Sequence, residues 1–386
     1  MVCKGSDPLK ILIAPDSFKG CMTAKEACEA IEKGLKNIDT DAQIVKVPMA
    51  DGGEGTVQAL VDALNGKIIT KKVTGPLNKP VTAFYGLIEQ KRLAVIEMSA
   101  ASGIQFVNHD TADPLHATTY GTGELILDAL QRGAEKFIIG LGGSATNDGG
   151  AGMAQALGVR FLDEDNQELP VGGIALEKLV RIDQTQMSPL LDKATFSIAC
   201  DVSCPLTGKN GASIVFGPQK GANETEVKLL DNALAHYADI VAPELKNAFG
   251  AGAAGGLGFA MMAFLNAVPN PGADLVIDAV GLNEKSSDCD LAITGEGSID
   301  FQTAFGKTPM AVTECVKKNS PNCTIVGLCG HLGKNVDVLY EKGFDALFPI
   351  VSGPQSLEEA MENGELNLTR TAENVLRLIK RTKFSI

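Results

Sequence analysis

The chain contains no tryptophan and only four tyrosines, and aromatic residues make up 5% of its 386 positions. Single-stranded nucleic acid binds to platforms of aromatic side chains, so this scarcity disfavours that class of partner. Positive charge is also in deficit, because 34 Lys and Arg face 47 Asp and Glu, for a formal net charge of -13. Such a surface repels nucleic acid and anionic membranes. An anionic ligand must therefore be held by local lysines and backbone N–H groups, which favours a small molecule delivered with a divalent cation.

Metal-binding and export patterns are missing as well. The four histidines are scattered without the H-x-x-x-H or H-E-x-x-H spacing, which disfavours a zinc hydrolase. Nine cysteines lie mostly in apolar runs, as expected of reduced thiols buried in a cytoplasmic protein. No apolar run follows the lysines of residues 1–10, so no secretory signal is predicted. The uncharged stretch 248–272 is interrupted by glycine and proline, which predicts a glycine loop and a buried helix over 259–266, not a membrane span.

Glycine-rich segments that each carry an Asp, Glu, Lys, Ser or Thr recur along the chain, mostly after a β-like run. Glycine lets the backbone approach a ligand closely and point several N–H groups at one oxygen, which suits phosphate and carboxylate groups. Segments of this kind at strand ends predict a site for an anionic, polar substrate. They span residues 14–20, 50–56, 120–124, 142–150, 216–221, 250–256 and 294–300.

Alternating strand and helix patterns at both ends of the chain predict a parallel, doubly wound sheet. Between them, residues 67–73, 81–88 and 93–97 are β-like runs with no helix among them, which predicts antiparallel pairing. A chain of this length is expected to form two domains. We expect residues 1–66 plus 289–386 to form a parallel-sheet α/β domain, and residues 67–288 to form an inserted, mixed α/β domain.

Two motifs invite nucleotide-binding interpretations. Gly306-Lys307-Thr308 has the form of a P-loop tail, but the first glycine of that motif would fall on Phe301, which disfavours a Walker site. A strand followed by Gly140-x-Gly142-x-x-Ala145, with Asp163 further on, fits a dinucleotide fingerprint. Against it, Gly149 and Gly150 would lie in the helix that must follow. A nicotinamide-dependent hydroxy-acid dehydrogenase stays open as an alternative, beside a non-catalytic nucleotide-sensing protein.

Acids and lysines are placed in the loops in a way that favours ligand binding. A single acid at a strand end is explained by helix capping, but four at the carboxyl edges of α/β sheets predict a site. The four acids are Asp16, Asp51, Asp201 and Glu296. The lysines that lie beside glycine are Lys19, Lys220 and Lys307, whereas every arginine lies outside these segments.

The chain resembles the type I glycerate kinases, the bacterial glycerate 2-kinase group, from Ile11 to about Ile379. The segments similar to that family's characteristic stretches are 14–20, 50–56, 142–150, 216–221 and 294–297. It departs from the family pattern at Cys204, where Asn is usual, and at Phe249, where Pro is usual. The resemblance implies two α/β domains, one flavodoxin-like and one inserted, with the active site in the cleft between them.

The resemblance also implies ATP-dependent, Mg²⁺-assisted phosphorylation of D-glycerate, with the 2-hydroxyl as the expected acceptor. The residues alone leave the 3-hydroxyl open, and likewise a homo-oligomeric state. Phosphoryl transfer needs a base near the hydroxyl, carboxylates for a metal, N–H groups for phosphates and cations for the glycerate carboxylate.

These needs assign roles to the loop residues. Asp201 is the expected base because it follows strand 196–200 beside a loop and has no helix to cap; Lys19 and Lys220 are the other expected catalytic residues. The expected substrate contacts are Asp16, Ser17, Asp51, Glu54 and Lys307. The expected nucleotide contacts are Gly142, Gly143, Ser144, Thr146 and Asn147. Glu296 and Asp300, four apart around a glycine turn, are the expected Mg²⁺ ligands.

Overall fold

The computed structural model describes residues 8–201 and 203–383 and shows two compact units. The terminal unit comprises Met1–Asp51, Gln58–Leu64 and Val276–Ile386, and the inserted unit comprises Gly52–Val57 and Asn65–Leu275. The prediction from sequence differs in assigning residues 276–288 to the inserted domain and residues 52–57 and 65–66 to the terminal domain.

The secondary-structure elements are numbered in chain order. The strands are β1 (Lys10–Ile13), β2 (Gln43–Lys46), β3 (Lys67–Thr74), β4 (Pro80–Ile88), β5 (Leu93–Glu97), β6 (Lys136–Gly140), β7 (Arg160–Leu162), β8 (Arg181–Asp183), β9 (Thr195–Ala199), β10 (Val268–Asn270), β11 (Leu291–Ile299), β12 (Thr324–Leu332) and β13 (Ala346–Pro349). The helices are α1 (Ala24–Lys36), α2 (Thr56–Leu64), α3 (Ser99–Ser102), α4 (Tyr120–Gln131), α5 (Ala151–Ala156), α6 (Ala212–Phe216), α7 (Glu224–Val241), α8 (Ala253–Leu265), α9 (Gly272–Val280), α10 (Leu282–Lys285), α11 (Thr308–Asn319), α12 (Asp337–Glu341), α13 (Leu357–Glu362) and α14 (Gly364–Lys383).

The terminal unit is built on a parallel five-stranded sheet in the order β13-β12-β11-β1-β2. Its central strands are continuous aliphatic runs because both faces of a parallel sheet are covered, and Ile11, Ile13, Leu291 and Ile293 are accordingly at most 1% exposed. Numbered within this sheet, the order is that of flavodoxin-like folds, which confirms the predicted class. The strand order reverses between β1 and β11.

Helices α1 and α14 pack together in the terminal unit. Thr23 and Glu26 form the predicted capping box at the start of α1. A β-carbon on Gly34 of α1 would lie 2.1 Å from the carbonyl oxygen of Thr369, so only glycine permits this approach. The Thr369 hydroxyl donates to the carbonyl of Ala30 at 3.0 Å.

The inserted unit is built on a six-stranded mixed sheet in the order β10-β9-β6-β5-β4-β3. Strands β3, β4 and β5 pair antiparallel, as predicted, and β5, β6, β9 and β10 pair parallel. Phe137 and Phe196 stack at 4.6 Å between ring centroids in its core. The uncharged stretch contains the buried helix α8; its backbone is left-handed at Ala254, Gly255 and Gly256, so the regular helix begins at Leu257, two residues before the predicted start. Among the described helices, none is long and apolar enough to cross a membrane.

Candidate active site

Carboxylates of the terminal unit converge where its strand order reverses. Asp16 follows β1, and its backbone N–H donates to the carbonyl of Gly295 in β11 at 2.8 Å. Glu296 is the next residue of β11, which continues to Ile299, so both acids lie toward the carboxyl ends of the two strands that flank the reversal. Open α/β sheets bind ligands at this position, because neighbouring connections leave on opposite faces and open a crevice. The glycine turn expected between Glu296 and Asp300 is wrong, because residues 296–299 belong to the strand.

Asp16 is held by two short hydrogen bonds. Thr308 donates its hydroxyl to Oδ2 at 2.5 Å, and the backbone N–H of Ser17 donates to Oδ1 at 2.6 Å. Burial raises the pKa of Asp16 to about 7, the Thr308 bond opposes that rise, and repulsion from Asp51 and Glu296 adds to it. Asp16 therefore changes charge near neutral pH. Sequence reasoning missed Thr308, although it follows Gly306 and Lys307 in a motif that had been singled out.

Glu296 is the second half-buried acid at this place. Its Oε1 accepts a hydrogen bond from the Thr303 hydroxyl at 2.9 Å and lies 3.6 Å from the Lys307 ammonium. Burial raises the pKa of Glu296, and Lys307 and Thr303 oppose the rise. Lys307 occupies the residue before α11, so one ammonium group stands among the acids at a helix amino terminus. The charges of four residues thus interact at this place in the structure: Asp16, Asp51, Glu296 and Lys307.

Asp300, the other expected metal ligand, has a structural task. It precedes the short 3₁₀ turn Phe301–Phe305, and its Oδ1 accepts the backbone N–H of Gln302 at 2.8 Å. Within residues 8–201 and 203–383, no group of three or more His, Cys, Asp or Glu side chains is arranged to hold a metal ion. The metal role of Glu296 and Asp300 therefore stays a prediction.

A buried carboxylate of the inserted unit was not foreseen. Glu97, the last residue of β5, is 7% exposed. Its Oε1 accepts the backbone N–H of Gly55 at 3.1 Å and that of Val57 at 2.9 Å, at the start of α2. Burial raises its pKa, and these two bonds oppose the rise. Glu97 thereby fixes the loop that carries the exposed Glu54. The available signal was an acid that ends an otherwise apolar strand.

The expected nucleotide loop is open at one end only. Gly142 and Gly143 are exposed and Ser144 is half-buried, whereas Thr146 and Asn147 are fully buried. The Asn147 amide donates to the Ser213 hydroxyl at 2.7 Å, while Thr146 Oγ1 and Asn147 Oδ1 have no hydrogen-bond partner among the described residues. Direct contact with a ligand is therefore available at residues 142–144.

Glycine in this region also serves packing. The backbone N–H of Gly149 donates to the carbonyl of Gly255 at 3.0 Å, so two glycine-rich segments pack backbone against backbone. A β-carbon on Gly255 would lie 2.0 Å from the Thr146 carbonyl oxygen, and its φ of +69° is in the left-handed region. These glycines are needed for the fold itself.

Lys220 supports the same loop from inside. It is 3% exposed, and its ammonium donates to the Thr146 carbonyl at 2.7 Å. Burial lowers its pKa to about 8, and the nearby carboxylate of Asp148 opposes that change. Asp148 is itself buried and accepts the N–H groups of Thr119 and Gly150 at 2.8 and 3.0 Å. The catalytic role of Lys220 stays a prediction, and its contacts are those of a positioning residue.

Asp201 follows β9 and is exposed. Its Oδ1 accepts the backbone N–H of Gly272, the first residue of α9, at 3.1 Å. The expectation that Asp201 has no helix to cap was therefore wrong. The sequence did not indicate this contact because Gly272 lies 71 residues further along the chain. Its role as the base stays a prediction. Lys19 of the terminal unit is also exposed, and Ser17 and Asp51 are half-buried.

The dinucleotide fingerprint lacks its structural context. The helix after β6 begins only at Ala151, well beyond the Gly140–Ala145 motif that would have to open it. Strand β7, which precedes Asp163, pairs antiparallel with β8 instead of joining the sheet of β6. A Rossmann unit needs a helix at the motif and a parallel neighbouring strand, so the structure does not support the dinucleotide interpretation of this motif.

The sequence profile described as the glycerate kinase family matches residues 11–380. The chain belongs to the glycerate kinase family. It is 49% identical to the glycerate kinase of Bacillus subtilis (strain 168) over 379 residues, which cover 97% of this chain and 99% of that one. It is 47% identical to the glycerate 2-kinase of Escherichia coli (strain K12) over 372 residues, which cover 95% and 97%.

A solved structure agrees with this family. A crystal structure from Salmonella typhimurium LT2, provisionally described as glycerate kinase 2, is similar with a TM-score of 0.90 and 45% identity, covering 98% of this chain and 100% of that one. The resemblance drawn from the motifs is confirmed. The protein is a glycerate kinase, a phosphotransferase acting on a small molecule, and the comparisons lend no support to the dehydrogenase or the sensor.

Proposed function

We propose that this glycerate kinase transfers the γ-phosphoryl group of ATP to the 2-hydroxyl of D-glycerate, assisted by Mg²⁺, and releases 2-phosphoglycerate and ADP. The observation that carries the proposal is the cluster at the strand-order reversal, where Asp16, with its pKa of about 7, lies beside acids and a lysine. The E. coli relative named glycerate 2-kinase supports the choice of hydroxyl.

Proton removal from the hydroxyl is assigned to a carboxylate. A base is most effective when its pKa lies near the working pH, and Asp16 meets this condition. Thr308 and Ser17 hold the Asp16 carboxylate in place by hydrogen bonds, which suits a residue that must meet one hydroxyl. Asp201, the base expected from sequence, is kept as the second candidate.

Charge on the two substrates is assigned to separate groups. Lys19, Lys307 and Ser17 are proposed to bind the glycerate carboxylate, and Asp51 and Glu54 are proposed to accept hydrogen bonds from the glycerate hydroxyl groups. The exposed backbone at Gly142 and Gly143, with Ser144, is proposed to contact the nucleotide phosphates, because backbone N–H groups bind phosphate oxygens well. Thr146, Asn147 and Lys220 are proposed to keep that loop in shape.

Magnesium is assigned to Glu296 and Asp300. Mg²⁺ prefers carboxylate oxygens and is usually held by one or two of them plus the substrate phosphates, so Glu296 within β11 and Asp300 directly after that strand are the proposed pair. The bound ion would neutralise charge that develops on the transferred phosphoryl group. Glu296 is already paired with Lys307 at 3.6 Å, so the ammonium group would have to share that carboxylate with the metal.

The position of phosphorylation is tested by identifying the product. After reaction with D-glycerate, ATP and Mg²⁺, the mixture is divided between enolase alone and enolase with phosphoglycerate mutase. Immediate phosphoenolpyruvate formation with enolase alone is the expected result, because that enzyme takes 2-phosphoglycerate directly. A signal that needs the mutase would assign the 3-hydroxyl instead, and phosphorus NMR of the product provides an independent check.

The choice of base is tested by replacing each carboxylate separately. Asp201→Asn keeps its shape and is expected to retain its fold. If Asp201 is the base, the variant loses about 10²–10⁴-fold in kcat. If Asp16 is the base, Asp201→Asn keeps the pH midpoint of the wild-type enzyme, and Asp16→Asn removes it.

A further inference from the structure

Two cysteine thiols of the terminal unit are in direct contact, at the sheet edge opposite the strand ends that carry Asp16 and Glu296. Cys289 precedes β11 and Cys323 precedes β12, and their sulfur atoms lie 3.1 Å apart. Both are free cysteines. A third thiol, Cys315 of α11, bonds to Asn283 at 3.5 Å and lies 3.9 Å from the Ser286 hydroxyl.

The strand register places the two cysteine backbones at disulfide distance. Leu291 of β11 is paired with Thr324 of β12. Cys289 and Cys323 therefore precede neighbouring strands and are offset by one residue in register. Neighbouring strands are about 4.8 Å apart and rise about 3.3 Å per residue, which puts the two Cα atoms roughly 6 Å apart. A disulfide normally spans about 4.4–6.8 Å between Cα atoms, so the bond needs little backbone movement.

The surroundings fix Cys289 and favour its anion. The backbone N–H of Cys289 donates to the Ser320 hydroxyl at 3.2 Å, and that hydroxyl donates to the Ser286 carbonyl at 2.9 Å. The Cys323 thiol lowers the pKa of Cys289 to about 7 by hydrogen bonding, and Ser320 and Lys10 act in the same direction against burial. The pKa of Cys323 is raised by the same hydrogen bond and by burial. The pKa values of the two thiols are therefore shifted in opposite directions, as they are in pairs with one attacking and one resolving cysteine.

Both cysteines are buried directly beside an exposed turn. They are 6% and 2% exposed, and each directly follows an exposed turn residue, Asp288 and Asn322 respectively. A small reagent needs only a local opening of these turns to reach the sulfur atoms. Such openings are far less costly than unfolding of the sheet.

We propose that Cys289 and Cys323 are a redox-active dithiol, which low-molecular-weight disulfides oxidise to an intramolecular disulfide. The Cys289 thiolate attacks one sulfur of the reagent RSSR, forms a Cys289–SR mixed disulfide and releases RS⁻. Cys323 then loses its proton and attacks the Cys289 sulfur, which forms the Cys289–Cys323 bond and releases a second RS⁻. The protein loses two electrons and two protons, and one RSSR becomes two RSH.

The test uses the full chain and 2-hydroxyethyl disulfide as the oxidant, under conditions where circular dichroism shows the native fold. Remaining thiols are alkylated in denaturant after timed exposure, and the digested protein is examined by mass spectrometry. The expected result is a peptide pair joined through Cys289 and Cys323, lighter by two hydrogens and restored by dithiothreitol. The rate is expected to rise with pH through about pH 7, as the Cys289 thiolate forms.

Three variants assign the steps. Cys323→Ser is expected to accumulate the mixed disulfide on Cys289, whereas Cys289→Ser is expected to leave Cys323 unmodified. Cys315→Ser is the matched control and is expected to form the link at the wild-type rate. Native protein in which neither cysteine reacts, or in which Cys289 becomes linked to Cys315, would overturn the proposal. Because the readout is covalent, it is independent of whether glycerate is phosphorylated at the 2-hydroxyl.

Discussion

Replacement of Asp16 by Asn is expected to separate the chemistry of this residue from its structural role. The amide is nearly isosteric: its oxygen can still accept the Ser17 N–H, and its NH2 group can donate to the Thr308 hydroxyl in place of the bond that Thr308 donates to the carboxylate. It cannot accept a proton from a substrate hydroxyl. We therefore expect kcat to fall by about 10²–10⁴-fold. The wild-type plot of kcat/KM against pH is expected to rise through a midpoint near 7, and the variant is expected to lose that rise.

The same substitution is expected to change stability with a defined sign. The pKa of Asp16 is about 7 in the folded chain against an ordinary 3.8, so the folded state holds this proton more tightly. The stabilisation is complete below pH 3.8 and is lost as pH rises through 7. The full difference corresponds to an upper bound of about 4 kcal/mol. Because Asp16 is partly exposed and solvent screens its charge, we expect a stabilisation of about 2 kcal/mol.

Urea unfolding at pH 5 and at pH 8 measures this effect. Asp16→Asn is expected to gain stability relative to the wild-type enzyme by about 1 kcal/mol more at pH 8 than at pH 5, because Asn carries no charge at either pH and the carboxyl of the unfolded wild-type chain is already ionised at pH 5. Thr308→Val is the matched control. It removes a hydrogen bond that lowers the pKa of Asp16, so the kinetic midpoint should move above 7.

Two results would refute this reasoning. An Asp16→Asn enzyme with an unchanged kinetic midpoint near pH 7 would show that another group titrates there. A stability difference that is the same at both pH values would show that the buried carboxyl is not perturbed. In either case Asp201 becomes the better candidate for the base.

Three other changes test the remaining assignments. Lys19→Ala is expected to raise the KM for glycerate by roughly tenfold or more and to leave that for ATP nearly unchanged, whereas equal effects in steady-state kinetics would mean that the two ends are exchanged. Lys220→Met is expected to cost about 1–3 kcal/mol in urea unfolding because the Thr146 carbonyl loses its donor; unchanged stability with lost turnover would instead indicate direct catalysis. Glu97→Gln is expected to speed amide exchange at Gly55 and Val57, measured by hydrogen exchange, and unaltered protection of both amides would contradict its role in holding that loop.

Local patterns in the sequence were sufficient for the elements and for the fold class. The aliphatic run at Lys10–Ile13 and the helix start at Thr23 depend on neighbouring residues, and both were predicted. The antiparallel strands β3, β4 and β5 were also predicted, because short turns leave no room for a helical crossover. The glycine loop before the buried helix was predicted as well, and left-handed backbone at Gly255 and Gly256 directly precedes the regular part of α8.

The details of the site depend on contacts that no local pattern contains. Thr308 meets Asp16 across 292 positions of sequence, and only the pairing of β1 with β11 brings their loops together. Asp201 meets the helix that begins at Gly272 in the same way. Glycine-rich sequence likewise does not distinguish a ligand cradle from close packing. Gly142 is exposed, whereas Gly255 is buried against a carbonyl, although both occur in similar sequence.

The central claim is tested most directly by one assay on the purified enzyme. D-glycerate, ATP and Mg²⁺ are mixed with it and ADP release is followed, with parallel samples that lack glycerate, contain EDTA, or contain NAD in place of ATP. We predict ADP formation that requires glycerate and stops with EDTA, and no reduction of NAD. ADP release that is independent of glycerate, or glycerate-dependent reduction of NAD without ADP, would contradict the account.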